Sequence, residues 1–142
     1  MLKVLIPVDG SDNSSRAVGY VIEEMKLYKE PPEIHLLNVQ PGIASGNVKS
    51  YISHEDLNKY YHDEGIVALA PARKLLDAAG VKYAYHISVG EVGATVAQYV
   101  KEKNIRQIVM GTRGLGAVAG MLLGSAATKV MHAVEVPVLL VK

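Results

Sequence analysis

Three glycines and a serine near the carboxyl end of the chain have a spacing that suits a phosphate chain. Gly111 follows the apolar residues 108–110, Gly114 comes three positions later, and nine residues then lead to Gly124 and Ser125. Glycine has no Cβ, so the backbone can approach a bulky anion closely at such positions. The residues after Gly124 have a helix-forming composition, and helix N-terminal N–H groups attract phosphate. The stretch therefore predicts a phosphate cradle, to which the Ser125 hydroxyl adds a donor.

The same glycines fit other known motifs poorly. No Lys-Ser or Lys-Thr follows them, as a Walker A loop requires, and the dinucleotide fingerprint belongs after a first strand. Ser125 lies in no G-x-S-x-G elbow, which favours a helix-capping serine over a nucleophile. Between Met110 and Ala133 there is neither Asp nor Glu, so no general base for activating water is evident. We expect at most slow hydrolysis. The alternative is a mobile loop beside a tightly packed helix.

Three charged residues could act on a phosphate chain in this cradle. Asp9 ends the first predicted strand, and its carboxylate would repel phosphate unless it held a divalent cation or accepted ribose hydroxyl hydrogen bonds. Alternatively, Asp9 caps the turn into the first helix. Arg113 lies between Gly111 and Gly114, and Lys129 follows Ser125 by one helical turn. For Lys129 the plainer interpretation is a solvated surface residue.

Apolar runs separated by helical patterns predict the elements that position these residues. The expected strands are residues 2–8, 33–39, 81–89, 108–111 and 137–141, with a helix between each consecutive pair. Alternating strands and helices predict a parallel sheet with right-handed crossovers and helices on both faces. In such sheets ligands bind at the carboxyl ends of the strands, where the strand order reverses. The alternating pattern of residues 81–89 suits an edge strand.

Several local features refine this prediction. Ser11 or Asp12 can cap the first helix, and Ser53 opens a long second helix that ends at Gly80. Pro71 interrupts that helix, so we expect a bend near residues 67–70 or a split into two helices. Residues 40–52 form the longest candidate loop, a possible flap. Two polar residues in the second strand predict that one of its faces is less covered; these are His35 and Asn38.

Composition bounds the class of protein. The 142 residues suit one domain, 1–142, and 15 Lys and Arg nearly balance 14 Asp and Glu, so neither nucleic acid nor an anionic membrane is an expected partner. The longest uncharged run has fifteen residues, too few to span a bilayer. We expect no secretion signal, and the absence of cysteine fits a cytoplasmic location. The five histidines show no metal-ligand spacing: His35, His54, His62, His86 and His132.

The glycine spacing, together with VPVLLVK at residues 136–142, KVLIPVDGSDNSSRAV at 3–18 and IHLLNVQP at 34–41, resembles the universal stress protein family over the whole chain. Within that family it is similar to the ATP-binding branch. The resemblance implies a Rossmann-like, adenine nucleotide α-hydrolase-like fold with strand order 3-2-1-4-5, so that Asp9 faces Gly111. It implies an ATP-binding, nucleotide-responsive regulatory module in the stress response. The alternatives are a dimeric interaction protein without nucleotide and, third, a nucleotide α-hydrolase.

The resemblance also implies site residues. Asp9 would contact nucleotide and could hold Mg²⁺ or Mn²⁺ through the bound ATP, and the backbone of Val39 would meet the adenine ring. The expected nucleotide-binding residues are Pro7, Val8, Asp9, Val39, Met110, Gly111, Arg113, Gly114, Gly124, Ser125 and Ala126. At Ala127 some relatives place a hydroxyl residue near the phosphates, so this chain departs from their pattern.

The last strand predicts a homodimer. In the implied strand order it lies at the edge of the sheet, where unpaired backbone groups beside apolar side chains invite association. Pairing of this strand with its own copy across a two-fold axis would close the assembly at two chains, and similar family members dimerise in this way. The expected interface residues are Val136, Pro137, Val138, Leu139, Leu140 and Val141.

Overall fold

The computed structural model describes residues 1–42, 52–114 and 120–142. Strands and helices alternate along these residues, as the sequence predicts. In chain order they are β1 Lys3–Pro7, α1 Asp12–Met25, β2 Glu33–Gln40, α2 His54–Ala78, β3 Tyr83–Val89, α3 Val92–Lys103, β4 Gln107–Gly111, α4 Ser125–Ala133 and β5 Val138–Val141. The predicted loop at residues 40–52 lies mostly outside the described residues, and so does its suggested role as a flap.

The five strands form one parallel sheet in the order β3-β2-β1-β4-β5. This confirms the predicted fold class, the strand order and the edge position of β3. β1 lies at the centre, where Val4 is aligned with Ile34 of β2 on one side and with Gln107 of β4 on the other. The connection from β1 runs to β2 on one side, whereas β4 and β5 add on the opposite side. The strand order therefore reverses between β1 and β4.

The helices cover both faces of the sheet. One apolar cluster joins β1 and β2 to α1 and α2 through residues such as Ile6, Val18 and Leu69. The other joins the opposite face to α3 and α4 through residues such as Val96 and Val130. Each fully buried side chain of this size contributes roughly 1.5–3 kcal/mol relative to an exposed one. The two layers hold the carboxyl ends of the strands in place.

The expectation that β2 has a less covered face is wrong. His35 and Asn38 are only 5% and 2% exposed. Burial is tolerated because both side chains have partners: His35 Nδ1 lies 2.8 Å from the Tyr99 hydroxyl, and Asn38 Nδ2 donates to the Val8 carbonyl at 2.9 Å. Burial also raises the pKa of Tyr99, with a smaller contribution from the charge of Glu33. Polar residues in a strand thus indicated internal hydrogen bonds rather than solvent.

The N-terminal caps of α1 and α2 agree with the predicted signals. The N-cap of α1 is Ser11, whose hydroxyl accepts from Ser14 N at 3.1 Å, and Ser53 caps α2. α2 continues from His54 to Ala78 with Pro71 inside it, so the split into two helices, which was the alternative to a bend, does not occur. Pro71 removes one intrahelical donor, and the packing of residues such as Leu69 and Leu76 against the sheet keeps the helix together. A bend of its axis stays a prediction.

Among the described residues, no helix combines the length and the apolar character needed to cross a membrane.

Candidate functional site

A cleft opens at the carboxyl ends of β1 and β4, where the strand order reverses. The aligned pairs between these strands are Val4 with Gln107 and Leu5 with Ile108, near the amino end of β4. Beyond them lies a cavity of about 160 Å³. Its lining residues are Pro7, Val8, Asp9, Ser14, Leu37, Val39, Val92, Met110, Gly111, Arg113, Gly114, Gly124, Ala126 and Ala127. The cleft thus brings together ten of the eleven residues expected to bind nucleotide.

The exception is Ser125, and its expected capping role is wrong. The N-cap of α4 is Gly124, with φ −73° and ψ 166°, and it makes no side-chain capping hydrogen bond. Ser125 is therefore the first helical residue. It is exposed and is not among the residues that line the cleft. The amides of Ser125, Ala126 and Ala127 lie in the first turn of α4, where N–H groups have no intrahelical acceptor.

Asp9 is held firmly by the turn between β1 and α1. Its Oδ1 accepts from Ser11 N at 3.0 Å and from Ser14 Oγ at 2.8 Å, while Asp9 N donates to Ser14 Oγ at 3.1 Å. Gly10 completes the turn with φ +85°, and a Cβ there would lie 3.3 Å from the backbone of Ala68 in α2. The carboxylate therefore stabilises the turn, as the alternative interpretation held. The same contacts fix its position at the floor of the cleft.

Gly114 lies against this carboxylate. A Cβ built on Gly114 would collide with Asp9 Oδ2. From the sequence, we expected a residue without a Cβ at position 114 because a phosphate would approach closely. The structure gives a second reason, which is the contact with Asp9. The contact joins the end of β1 to the glycine loop, which we define as residues 111–125.

Asn13, which the sequence analysis missed, holds the start of the glycine loop. Its Oδ1 accepts from Arg113 N at 2.7 Å, and a Cβ on Gly111 would collide with that oxygen. Asn13 is 6% exposed and lies in the first turn of α1. A polar residue in a first turn is common, and its partner lies 100 positions away. The one available signal was its place four residues after Asp9, which had already been assigned to the site.

Gly124 closes the glycine loop at its other end. Its N–H donates to the Thr112 carbonyl at 2.6 Å, and a Cβ there would lie 3.1 Å from Arg113 Cα. Gly124 also accepts from Thr128 Oγ1 at 3.0 Å. The three glycines of the predicted motif therefore each stand where another part of the protein comes close. This brings the N-terminus of α4 to the ends of β1 and β4.

The two basic candidates have different positions. Arg113 is exposed and lines the cleft. Lys129 is exposed on α4 and lies near Glu91 at the start of α3. The pKa of Glu91 is lowered mainly by hydrogen bonds from Ala94 N and Gly93 N, with a smaller contribution from Lys129. The surface interpretation of Lys129 therefore fits better than a phosphate contact.

Among residues 1–42, 52–114 and 120–142, no three His, Cys, Asp or Glu side chains are grouped so that they could hold a metal ion. Of the described residues that line the cleft, Asp9 alone is acidic. Magnesium prefers six oxygen ligands and keeps several waters. A divalent cation at Asp9 would therefore take its other ligands from a phosphate chain and from water.

Comparison with known proteins identifies the family. The model of the universal stress protein family matches residues 1–142. The chain belongs to this family. A relative, the universal stress protein MJ0531 of Methanocaldococcus jannaschii, is 31% identical over 141 residues, which cover 99% of this chain and 81% of the relative.

Solved structures of universal stress proteins share the fold. UspA from Lactobacillus plantarum matches with a TM-score of 0.80 at 19% identity, over 99% of this chain and 97% of that chain. An Arabidopsis thaliana family protein with AMP bound matches at 0.69 and 23%, over 100% and 92%. The Archaeoglobus fulgidus protein in complex with dAMP matches at 0.68 and 20%, over 100% and 98%. These structures show that the chain has a Rossmann-like fold.

The residues expected at a dimer interface lie on and beside β5, at the sheet edge opposite β3. β5 is aligned with β4 from Ile108 and Val138 to Gly111 and Val141. Residues 138–141 are half-buried, because their side chains pack against both apolar clusters. Pro137 is exposed, and its carbonyl accepts from Ile108 N at 2.9 Å. The outer side of β5 faces away from the sheet.

Proposed function

We propose that this universal stress protein binds ATP in the cleft and acts as a nucleotide-responsive regulatory module in the stress response. The observation that carries the proposal is the convergence of Gly111, Gly114 and Gly124 with the first turn of α4 beside Asp9. Backbone donors at a helix N-terminus suit a phosphate chain. The AMP and dAMP complexes of its structural neighbours support an adenine nucleotide as ligand.

The expected affinity is micromolar. A hydrogen bond to a charged phosphate contributes about 1.5–3 kcal/mol, and micromolar binding requires about 8 kcal/mol after the costs of association. The amides of α4, the Arg113 side chain and the apolar walls at Val39 and Met110 would provide these contacts. Asp9 would hold Mg²⁺ or Mn²⁺ together with the phosphate oxygens, or accept hydrogen bonds from the ribose.

Calorimetry with ATP and with GTP, each with magnesium, tests the proposal. We expect micromolar binding of ATP and a clear preference over GTP. Denaturing the purified protein and chromatographing what is released provides a second readout, in which adenine nucleotide should appear. If no heat and no thermal shift were observed at millimolar ATP, the proposal would be abandoned.

A specific observation favours the second candidate, an interaction protein that does not hold nucleotide. Gly111 and Gly114 pack against the side chains of Asn13 and Asp9. Their lack of a Cβ is therefore explained within the protein, without any ligand. The calorimetric experiment separates the two candidates, because this one predicts an empty cleft at millimolar ATP.

We also propose that residues 1–142 act as one unit and form a cytoplasmic homodimer through β5. An edge strand carries backbone groups that can pair with a second chain, and residues 138–141 could align antiparallel with their copies. Light scattering at micromolar concentration should give twice the chain mass of 15.3 kDa. A mass of one chain would contradict the dimer and leave ATP binding unaffected.

A further inference from the structure

The ladder between β1 and β2 ends just where the cleft begins. Its last hydrogen bond runs from Val8 N to the Leu37 carbonyl at 2.9 Å. In a parallel ladder, the next one would run from Val39 N to the Val8 carbonyl. That carbonyl accepts from Asn38 Nδ2 at 2.9 Å. Among the described residues, no backbone hydrogen bond joins Val39 to the turn that follows β1, residues 8–11.

The backbone of Val39 faces the gap that results. Leu37 pairs with the β1 side, and Gln40 pairs with the β3 side, because its carbonyl accepts from Gly90 N at 3.0 Å. Odd-numbered residues of β2 therefore present their N–H and C=O groups toward β1. At Val39 these groups also point toward β1, but β1 has already ended at Pro7. Val39 therefore faces the gap, and it lines the cleft.

The side-chain amide of Asn38 is held with its Nδ2 group toward the Val8 carbonyl. Its Oδ1 accepts from Gln40 Nε2 at 2.6 Å, and its Nδ2 donates to Val8. A carbonyl oxygen can only accept, so the Nδ2 group must face Val8. At 2% exposure, the Asn38 side chain has little room to move and no access to bulk water. Loss of either contact would leave a buried polar group unpaired.

We propose that Asn38 is a positioning residue that keeps the Val39 backbone available to the base of a bound nucleotide. Its Nδ2 group donates to the Val8 carbonyl, which would otherwise accept from Val39 N–H and extend the ladder between β1 and β2 by one hydrogen bond. The N–H and C=O of one residue match the acceptor and the donor that adenine presents side by side, whereas guanine presents them in the reverse sense. The inference rests on the proposed ATP binding and assigns selectivity to a side chain that need not touch the ligand.

The test compares two buried asparagines at opposite ends of the cleft, in the Asn38→Ala and Asn13→Ala variants. Calorimetry with ATP, GTP and inorganic tripolyphosphate separates base from phosphate recognition. For Asn38→Ala we expect ATP affinity to fall about tenfold, tripolyphosphate affinity to change less than about twofold, and the preference for ATP over GTP to shrink. For Asn13→Ala, ATP and tripolyphosphate should weaken by the same factor. Equal losses of both ligands in Asn38→Ala would overturn the proposal.

Amide hydrogen exchange of Val39 tests the positioning without any ligand. In the unmodified protein Val39 N–H should exchange quickly, and in Asn38→Ala it should become protected as the ladder closes. Asn38→Leu, which is close in size and has no donor, replaces Asn38→Ala should the latter not fold. A protected Val39 amide in the unmodified protein would overturn this inference, whereas absence of ATP binding would overturn the proposed function.

Discussion

The cleft has two halves that are built differently. We name each half for the part of ATP that it is proposed to bind. The base half consists of the ends of β1 and β2, where the ladder ends at the hydrogen bond from Val8 N to the Leu37 carbonyl and the Asn38 side chain donates to the Val8 carbonyl. The phosphate half consists of Asp9 and the glycine loop, where glycines pack against side chains from the start of α1. One half derives its geometry from a regular ladder, and the other from contacts between segments about 100 residues apart.

This difference predicts opposite sensitivities. In the base half the backbone would meet the ligand, so changes of side chain should act only by moving strands. In the phosphate half no space remains for a Cβ at Gly111 or Gly114. Substitutions there should act directly and strongly. The following experiments test whether this contrast holds.

The largest effect is expected for Gly114→Val. Its Cβ would collide with Asp9 Oδ2, so the glycine loop must move away from the turn, and we expect ATP affinity to fall by about a hundredfold or more, near 2.7 kcal/mol. Calorimetry measures the loss, and thermal unfolding shows whether the fold survives. Gly19→Ala is the matched control, since nothing lies within 4 Å of a Cβ there. Unchanged ATP binding in Gly114→Val would show that the phosphate half lies elsewhere.

Asp9→Asn should have the next largest effect. Asparagine keeps an oxygen acceptor for Ser11 N and Ser14 Oγ, so the turn should stay folded. A neutral amide is a poorer ligand for magnesium, and we expect affinity for ATP to fall about tenfold with magnesium and much less without it. Titrations at both conditions measure this. Asp12→Asn removes a nearby exposed charge from the first turn of α1 and is the control. An equal loss of ATP affinity in Asp9→Asn and Asp12→Asn would indicate that the net charge near the cleft matters, rather than a magnesium ligand at Asp9.

The sequence predicted the base half and the phosphate half unequally well. The ends of strands can be predicted from apolar runs, so the positions of Val8, Val39 and Gly111 at the carboxyl ends of the strands could be anticipated. Asn13 could not, because its bond to Arg113 depends on how α1 packs beside β4. The N-cap of α4 was misplaced by one residue, since serine is a favoured cap and glycine at that position gives a weaker signal.

The polar residues of β2 show a second limit of sequence reasoning. A buried Asn and a solvent-facing Asn look alike in a strand sequence, and only the neighbouring carbonyl of Val8 distinguishes them. Likewise, a proline inside a helical pattern gives no information on the tertiary packing that can keep α2 continuous. Both errors arose because long-range contacts outweighed local preference.

Ser14→Ala should have a smaller effect, because it removes hydrogen bonds and leaves the Asp9 charge in place. Ser14 Oγ donates to Asp9 Oδ1 and accepts from Asp9 N. We expect the free energy of unfolding to fall by about 1–2 kcal/mol and ATP affinity to fall a few-fold. Urea unfolding and calorimetry measure the two quantities. Ser15→Ala, one position along the same helix and less buried, should change neither. If Ser14→Ala left both unchanged, the turn would be held without its side chain.

The smallest effect is expected at Glu91, which caps α3 next to Val92 in the wall of the cleft. Hydrogen bonds from Ala94 N and Gly93 N lower the pKa of Glu91 below the ordinary value of 4.5. Because the folded-state pKa is the lower one, the carboxylate's stabilisation is present above pH 4.5 and is lost as the pH falls through the folded-state pKa. The side chain is exposed, so solvent screens most of the effect.

Glu91→Gln should therefore narrow the difference between melting temperatures measured at pH 7 and at pH 3.5. ATP affinity at pH 7 should change less than about twofold, because the cap stabilises the helix without entering the phosphate half. Glu102→Gln, near the other end of α3, is the control, since its carboxylate accepts from the side-chain amide of Gln98. A large loss of ATP affinity in Glu91→Gln would mean that the wall of the cleft depends on the cap of α3. The geometry of the cleft would then depend on a third structural feature, besides the strand ends of the base half and the long-range contacts of the phosphate half.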